Sequence, residues 1–161
     1  MFRFCRPSNA SQCFLDWHEL GTRLQDLNES VGLINLPTHV DSRGSLTAIE
    51  QWSDIPFEIQ RIYYLHGSPS NTLRGVHAHR TLQQVLIALH GTFVASFDNG
   101  FEKDTYLLDS PTIGVLIRGP VWRELSEFSS DAVCLVLASL PYDPHDYIYD
   151  YGTFLEFVDA R

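Results

Sequence analysis

The sequence contains few cysteines, no long apolar run and little positive charge, and each absence excludes a class of protein. The three cysteines, Cys5, Cys13 and Cys134, are an odd number without CxxC spacing. That usage argues against a disulfide scaffold and is typical of a reducing cytoplasm. The longest apolar run, near residues 133–140, is too short to cross a membrane. Residues 1–7 lack the apolar segment of a secretory signal, so we expect a cytoplasmic protein.

The charge balance argues against a nucleic-acid partner. The net charge is −9, with 20 acidic residues against 11 basic ones, whereas nucleic-acid binders carry a basic face. Among the basic residues, Lys103 is the single lysine and all others are arginines. Because arginine binds phosphate with two parallel hydrogen bonds, a few arginines in one pocket would still create a local anion site.

Length and patterning predict one domain behind a short extension. A chain of 161 residues suits one domain with a full core. Residues 1–29 are predicted to be an N-terminal extension with at most one short helix, suggested by a stripe of leucines around Trp17. Residues 30–161 are predicted to form the domain.

The domain is patterned as a series of short strands. Turn signals such as Asp98-Asn99-Gly100 recur about every ten residues. The predicted strands cover residues 31–36, 46–51, 58–65, 73–79, 83–89, 92–97, 105–108, 114–118, 122–128 and 132–139. This spacing predicts an all-β sandwich or barrel, the class that includes jelly rolls and cupins, which are double-stranded β-helix barrels. The apolar positions of residues 146–157 predict a short C-terminal helix packed on the outside of the barrel.

Two histidines supply the most specific chemical signal. His77 and His79 are two residues apart in a predicted strand, so both imidazoles point to one face while Ala78 faces the other. An imidazole in such a place is either a metal ligand or a proton carrier near neutral pH. The alternative is a histidine pair with only a structural role.

The spacing after the pair resembles the first motif of the cupin superfamily. Metal-binding cupins hold their ion with a His-x-His pair, a glutamate a few residues later and a distant histidine. Here Gln84 stands at the glutamate position, and Gly91 provides the glycine of the next turn. The stretch 111–123, where the last ligand belongs, ends in Trp122 and Arg123 and contains no histidine. Two imidazoles alone make a weak metal site, so we expect neither metal nor cofactor and interpret the pair as acid–base groups.

An ordered series of further motifs resembles the nucleotide-sugar 3,4-ketoisomerases, which are metal-free cupins. The resemblance runs from about Ile34 to Phe157. The motifs are Asp41-Ser42-Arg43-Gly44, Ile55-Pro56-Phe57, Arg61-Ile62-Tyr63-Tyr64, Arg74-Gly75-Val76-His77-Ala78-His79, Leu108-Asp109-Ser110-Pro111, Trp122-Arg123-Glu124, Val136-Leu137-Ala138-Ser139, Tyr142-Asp143 and Asp146-Tyr147-Ile148.

The resemblance implies a reaction and a substrate. dTDP-4-keto-6-deoxyglucose would become a 3-keto sugar through an enediol, for deoxysugars of O-antigen, other cell-surface polysaccharides or glycosylated products. That requires a base at C3, an acid at C4 and proton transfer between the two oxygens. The family also implies a homodimer that shares strands. No hydride moves, and the sequence has no GxGxxG after a strand that would bind a nicotinamide.

The predicted site residues divide into catalytic and binding groups. His77 and His79 would move protons, and Tyr64 would help as a hydrogen-bond donor, while Tyr63 would face away into the core. Gln84 would contact the substrate, and Trp122 would stack on a ring or only fill the barrel. The arginines nearest the motifs, Arg43, Arg74 and Arg123, would bind the diphosphate.

Three other functions remain open at this point. A non-catalytic cupin that binds a sugar nucleotide would use the same arginines without needing both histidines. A sugar-nucleotide 3,5-epimerase would pair one base histidine with an acid tyrosine. A metal-dependent oxygenase is disfavoured by Gln84 and by the missing last ligand. The sequence leaves open the configuration at C4 of the product and which histidine acts at which carbon.

Overall fold

The structure is a computed structural model that describes residues 27–161. The predicted extension, residues 1–29, falls almost entirely outside the described residues, so that prediction stays open. The first described element is a single helical turn, α1 (Leu27–Ser30). No helix in the described part of the chain is long and apolar enough to cross a membrane.

Twelve strands and one C-terminal helix follow α1. The strands are β1 (Val31–Asn35), β2 (Thr38–Asp41), β3 (Gly44–Thr47), β4 (Arg61–His66), β5 (Arg74–His79), β6 (Gln84–His90), β7 (Phe93–Asp98), β8 (Lys103–Leu108), β9 (Ile113–Ile117), β10 (Trp122–Ser126), β11 (Val133–Ala138) and β12 (Tyr147–Ile148). The helix is α2 (Tyr151–Asp159). The all-β prediction is confirmed, with strand ends that differ by one to three residues in most cases.

The strands form two five-stranded antiparallel sheets and one hairpin. One sheet has the order β1-β9-β6-β11-β4, and the other has the order β12-β5-β10-β7-β8. The main apolar core includes Phe93, Phe97 and Phe128. This jelly-roll arrangement is the predicted cupin barrel. The hairpin β2–β3 stands apart, and its side chains are mostly exposed.

Two segments differ from the strand prediction. The predicted strand 46–51 is instead the second arm of the hairpin, because Asp41 and Gly44 close a tight turn between β2 and β3. The predicted helix 146–157 begins later, at Tyr151, where the Asp150 carboxylate caps the backbone N–H of Thr153. Residues 147–148 instead form β12, which pairs with the end of β5.

Helix α2 covers the outer side of the second sheet, as predicted. Phe154 is fully buried in a small cluster with Ala78, Trp122 and Ile148. Since Ala78 lies between the two histidines, this contact explains why that position holds a small apolar residue. The packing fixes β5 from outside and leaves its histidines on the other side.

Candidate active site

Strand β5 presents both histidines to one side of the barrel wall. The rings of His77 and His79 lie edge to face, with centroids 4.9 Å apart. The His79 side chain is 1% exposed, and His77 is partly buried. The alternation expected from the sequence therefore places both imidazoles in the interior.

His77 lies against a cavity of 380 Å³ beside a buried arginine. Arg123 of β10 is the cross-strand partner of His77, and its Nη2 lies 2.7 Å from His77 Nε2. A guanidinium can only donate, so His77 Nε2 accepts this hydrogen bond and the imidazole is neutral. The bond also restrains Arg123, whose side chain lies inside the barrel.

His79 lines an adjoining cavity of 270 Å³. Arg61 and Tyr147 line both cavities, so they form the boundary between them. The Tyr147 ring packs against both imidazoles, 4.9 Å from His77 and 4.2 Å from His79 between centroids. Tyr147 is placed there by its pairing with His79 in the β12–β5 ladder.

The other ring nitrogen of His79 contacts a carboxylate. His79 Nδ1 lies 2.9 Å from Asp146 Oδ2, whereas His79 Nε2 is buried without a hydrogen-bond partner in the described part of the chain. Asp146 directly precedes β12, so the same short strand that positions Tyr147 positions this carboxylate. The arrangement leaves the second imidazole nitrogen of His79 buried and without a partner among the described residues.

Tyr63 and Gln84 form the polar wall opposite β5. Gln84 Nε2 donates to Tyr63 Oη over 2.8 Å, and Gln84 is 1% exposed. Because Tyr63 accepts this bond, its hydroxyl hydrogen remains available for a ligand in the larger cavity, which Tyr63 lines. Burial raises the pKa of Tyr63, although Arg123 opposes the shift. The phenol is therefore a donor at neutral pH.

Both imidazoles are neutral at physiological pH. Burial, reinforced by Arg123 and then His79, lowers the pKa of His77 to about 2. Burial, Arg123 and Arg61 likewise lower the pKa of His79 to about 2. Desolvation and positive neighbours both disfavour imidazolium, so neither ring carries a charge at neutral pH.

The larger cavity concentrates positive charge in an acidic protein. Arg61, Arg74 and Arg123 line it, and its lining includes no aspartate or glutamate. Burial lowers the pKa of Arg123, which forms no ion pair with any residue in the range 27–161. A buried guanidinium without a carboxylate is costly unless a ligand supplies the negative charge. The site is therefore suited to an anionic substrate.

The predicted position of Tyr64 is wrong. Side chains of β4 alternate, with Arg61, Tyr63 and Leu65 turned inward and Ile62, Tyr64 and His66 exposed. Tyr64 is 61% exposed and packs near His66 on the outer surface. Tyr63, which the sequence assigned to the core, occupies the position by the cavity. Both neighbours are aromatic, so alternation alone does not tell which one faces inward.

Trp122 and Arg43 do not lie with the two histidines in this structure, and for Trp122 the packing alternative is closer to what is observed. Trp122 precedes Arg123 on β10 and must face the opposite side, where it packs against Tyr151 and Phe154. Arg43 lies at the hairpin turn with its side chain 88% exposed, paired with Asp41. Neither residue lines the cavities beside His77 and His79.

Four residues near the histidines were not predicted as site residues. They are Arg61, Tyr63, Asp146 and Tyr147. Arg61 extends its guanidinium over the rings of Tyr63 and Tyr142, at 5.1 and 5.7 Å. All four belong to the motifs shared with the ketoisomerases, which was the available signal. Periodicity could not assign Asp146 and Tyr147, because the strand at this point, β12, has only two residues.

The residues present do not suit a metal ion. No three histidine, cysteine, aspartate or glutamate side chains of residues 27–161 converge on one point. The Arg123 guanidinium already occupies His77 Nε2, and its charge would repel a cation. Gln84 is turned toward Tyr63. The expectation of a metal-free site stays a prediction that elemental analysis can test.

Fold and site together define a cupin with acid–base side chains and arginines inside the barrel. Structures of two sugar epimerases at 16% identity share this fold, with TM-scores of 0.63 and 0.64. The chain belongs to the FdtA family, described as WxcM-like, C-terminal, whose model matches residues 29–159. This confirms the resemblance inferred from the sequence motifs.

The chain is similar to proteins whose activity is known. The chain is 44% identical over 126 residues to the TDP-4-oxo-6-deoxy-α-D-glucose-3,4-oxoisomerase of Aneurinibacillus thermoaerophilus, covering 78% of this chain and 91% of that protein. It is similar to the 3,4-ketoisomerase QdtA of Thermoanaerobacterium thermosaccharolyticum, solved as a histidine-to-asparagine mutant with TDP-4-keto-6-deoxyglucose. That match has 39% identity and a TM-score of 0.79, covering 82% of this chain and 96% of the other. A 3,4-ketoisomerase from Helicobacter canadensis matches with 41% identity and a TM-score of 0.78, covering 80% and 97%.

Proposed function

We propose that this protein is a sugar-nucleotide 3,4-ketoisomerase that converts TDP-4-keto-6-deoxyglucose into a TDP-3-keto-6-deoxyhexose. The single observation that carries the proposal is the neutral His77–His79 pair facing an arginine-lined interior. Similarity to TDP-sugar ketoisomerases supports the substrate class. The product would supply the synthesis of deoxysugars for cell-surface polysaccharides or other glycosylated products.

The first step requires a base beside C3 of the sugar. A neutral imidazole removes the C3 proton, and the electron pair of that bond forms the C3=C4 bond of an enediolate whose charge lies on O4. The Arg123 guanidinium and the Tyr63 hydroxyl are the donors available to stabilise this oxygen. If a substrate oxygen accepts the hydrogen bond that Arg123 now donates to His77, the lone pair on His77 Nε2 becomes free.

The second step returns the proton to the neighbouring carbon. The O3 proton moves to O4, the imidazolium protonates C4, and the electron pair left on O3 forms the carbonyl at C3. Atoms and charge balance without an oxidant or reductant, so the reaction needs no cofactor. Two imidazoles 4.9 Å apart between centroids can share the proton transfers.

Substrate charge is matched by the arginines of the larger cavity. Arg74 is the first residue of β5, directly before Gly75, and lines this cavity. We assign Arg74 and Arg61 to the diphosphate, since arginine binds phosphate oxygens in pairs. Gln84 acts through Tyr63, whose hydroxyl it holds.

The direct test is to incubate the protein with TDP-4-keto-6-deoxyglucose in deuterated water and follow the sugar carbons by NMR. We expect the carbonyl to move from C4 to C3. A carbonyl that stays at C4 while C3 and C5 exchange with solvent would indicate an epimerase. A sugar that binds with neither exchange nor rearrangement would indicate a non-catalytic binding protein.

The same assay tests the histidine pair. His77→Asn and His79→Asn preserve polarity and similar size but cannot titrate, so each should lower turnover roughly 100- to 10,000-fold. The double variant should be little worse than the poorer single one, because residues that act as a unit are not additive. Near-normal turnover in both single variants would refute this site, and circular dichroism separates loss of catalysis from unfolding.

We also propose that the enzyme acts in the cytoplasm. Cys134, the free cysteine in the described part of the chain, is buried in the core, and burial raises its pKa to about 12. An unreactive buried thiol is compatible with a reducing compartment and gives no sign of a disulfide framework.

A further inference from the structure

Asp146 holds His79 in a single orientation. Its Oδ2 lies 2.9 Å from His79 Nδ1, and a carboxylate can only accept a hydrogen bond when it is ionised. The hydrogen of a neutral His79 ring is therefore on Nδ1. Nε2 carries the lone pair, buried and without a hydrogen-bond partner in residues 27–161. A nitrogen with a lone pair that no other group uses is the feature expected of a proton acceptor.

The Asp146 carboxylate is itself fixed by a second residue. Its Oδ1 accepts hydrogen bonds from the Thr81 backbone N–H at 2.9 Å and from the Thr81 hydroxyl at 2.8 Å. The Asp146 backbone carbonyl accepts from the Arg80 N–H at 2.9 Å. Both carboxylate oxygens are thus occupied, and the group cannot turn away from His79 without breaking these contacts.

The charges around His79 give the carboxylate an electrostatic role as well. Arg61 and Arg123 disfavour a proton on the ring, His77 and Tyr147 are neutral ring neighbours, and Asp146 is the carboxylate in direct contact. When His79 takes a proton, imidazolium forms near two guanidinium groups. A hydrogen-bonded carboxylate on Nδ1 offsets that repulsion and so stabilises the charged intermediate.

We propose that Asp146 is the positioning residue of the ketoisomerase site, fixing the His79 tautomer that leaves Nε2 as a proton acceptor. The proposal rests on the function proposed above. It assigns a role to a residue outside the His-x-His motif and explains why β12, only two residues long, must pair with the end of β5. The separation of 67 residues between Asp146 and His79 hides the contact in the sequence.

The test is Asp146→Asn, compared with Asp131→Asn. In Asp146→Asn the amide oxygen can still accept from Thr81, but the NH₂ group replaces the acceptor that faces His79 Nδ1. His79 must then present Nδ1 as the acceptor and Nε2 as the N–H, which removes the lone pair from Nε2. Asp131 makes the same kind of contact at the surface: its Oδ2 lies 3.2 Å from His90 Nε2, and its Oδ1 accepts from the Ser129 hydroxyl. Asp131→Asn therefore makes the same chemical change away from the cavities beside His77 and His79.

We expect kcat of Asp146→Asn to fall roughly 100- to 10,000-fold with KM nearly unchanged, while Asp131→Asn retains wild-type kinetics. In protein labelled with ¹⁵N-histidine, with His79→Asn used for assignment, the His79 ring should carry its hydrogen on Nδ1 in the wild type and on Nε2 in Asp146→Asn. In the His79→Asn background, adding Asp146→Asn should have little further effect on kcat.

Wild-type kcat or an unchanged His79 tautomer in Asp146→Asn would overturn the proposal. So would a variant that loses activity only because it melts at lower temperature or no longer binds TDP. If the wild type itself leaves the sugar carbonyl at C4, the proposed function fails. The ¹⁵N tautomer comparison, which needs no turnover, still decides whether Asp146 orients His79.

Discussion

Neighbouring residues on one strand face opposite sides of the barrel wall, and this decides which side chains reach the substrate. On β4 the larger cavity is lined by Tyr63, whereas Tyr64 points outward. On β10 it is lined by Arg123, whereas Trp122 packs under α2. In each pair the sequence offers two chemically plausible residues one position apart. The choice depends on which face of the sheet is concave.

The β4 pair provides a matched test at this scale. Tyr63→Phe removes the hydroxyl that lines the cavity and leaves the Gln84 amide without its partner. We expect turnover to fall about 100-fold or more, as for loss of one oxyanion donor, and stability to fall by about 1–3 kcal/mol. Tyr64→Phe removes the same atom from an exposed ring and should change neither value. Steady-state kinetics and urea denaturation provide the two readouts, and a large kinetic loss in Tyr64→Phe would reverse the face assignment of β4.

The pKa of His79 also predicts a stability effect in acid. The folded-state pKa is lowered from 6.5 to about 2. Below about pH 6.5 the unfolded chain therefore binds a proton at this position that the folded chain does not bind, so stability falls as pH falls. Between about pH 6.5 and about pH 5.5 this group should remove about 1 kcal/mol from the free energy of unfolding.

His79→Asn should lose that part of the pH dependence. We expect its free energy of unfolding, measured by urea denaturation, to decline less than that of the wild type across the same interval. Equal slopes for the two proteins would show that His79 takes up a proton in the folded state and is not held neutral by burial.

At the scale of secondary structure, the active site is assembled by the β12–β5–β10 ladder. Pairing of β5 with β10 places Arg123 opposite His77, and pairing with β12 places Tyr147 opposite His79. The pairing of β10 with β5 shifts register between Arg123 and Leu125, and Gly75 lies at this point of β5. Gly75 has a φ of 66°, a backbone conformation that glycine adopts without strain. Three segments that are distant in sequence thus meet at two histidines.

The β6–β7 turn contains Gly91, which packs closely against residues 129–132. Gly91 has a φ of +63°, and a Cβ there would overlap the Ser129 hydroxyl and lie 2.8 Å from the Ala132 backbone. Gly67 has a φ of +62° with nothing near a Cβ. Both alanine variants should lose about 1–2 kcal/mol from the left-handed backbone, and Gly91→Ala should lose about 1–3 kcal/mol more from the overlap.

Thermal or urea denaturation of the two glycine variants isolates the steric contribution, because the backbone conformation is nearly the same. Equal destabilisation would mean that the loop 129–132 moves freely away from the turn. In that case the cupin glycine at this position would reflect backbone conformation alone.

At the scale of the whole molecule, apolar side chains remain exposed along the first sheet and the hairpin. The edge strands of the first sheet are β1 and β4. Leu33 on β1 is 57% exposed and Ile62 on β4 is 60% exposed. Val40 of the hairpin is 75% exposed. Exposed apolar edges favour pairing with another chain. Arg43 extends from the same hairpin, so a contact between Arg43 and a substrate requires the site of a second copy.

We therefore predict a homodimer that uses the first sheet. Light scattering should give about twice the monomer mass of 18.4 kDa at micromolar concentration. Ile62→Glu should shift the protein toward a monomer, because it places a charge in the predicted interface. Leu107 is 63% exposed on β8, an edge strand of the second sheet. Leu107→Glu makes the same change there and should leave the dimer intact. A monomeric wild type would refute the prediction.

Local sequence patterns sufficed to predict an all-β sandwich or barrel, most of its strands and the strand that carries the histidines. These features follow from local chemistry: period-two alternation, Gly and Asp turns, and the two-residue separation of His77 and His79. Local patterns act within a few residues, so one sequence suffices to detect them. Arg74 and Arg123 were predicted from the resemblance to the ketoisomerase motifs, and both line the larger cavity.

Packing of the two sheets against each other determined which side of each strand is the interior and which distant residues meet there. Alternation specifies that Tyr63 and Tyr64 point in opposite directions, but the closure of the two sheets determines which direction is inward. The contact between Asp146 and His79 depends on the register of β12 against β5, set by packing of Phe154 on Ala78 and Trp122. Such long-range pairings arise from the burial of whole faces, and no short window of sequence encodes them.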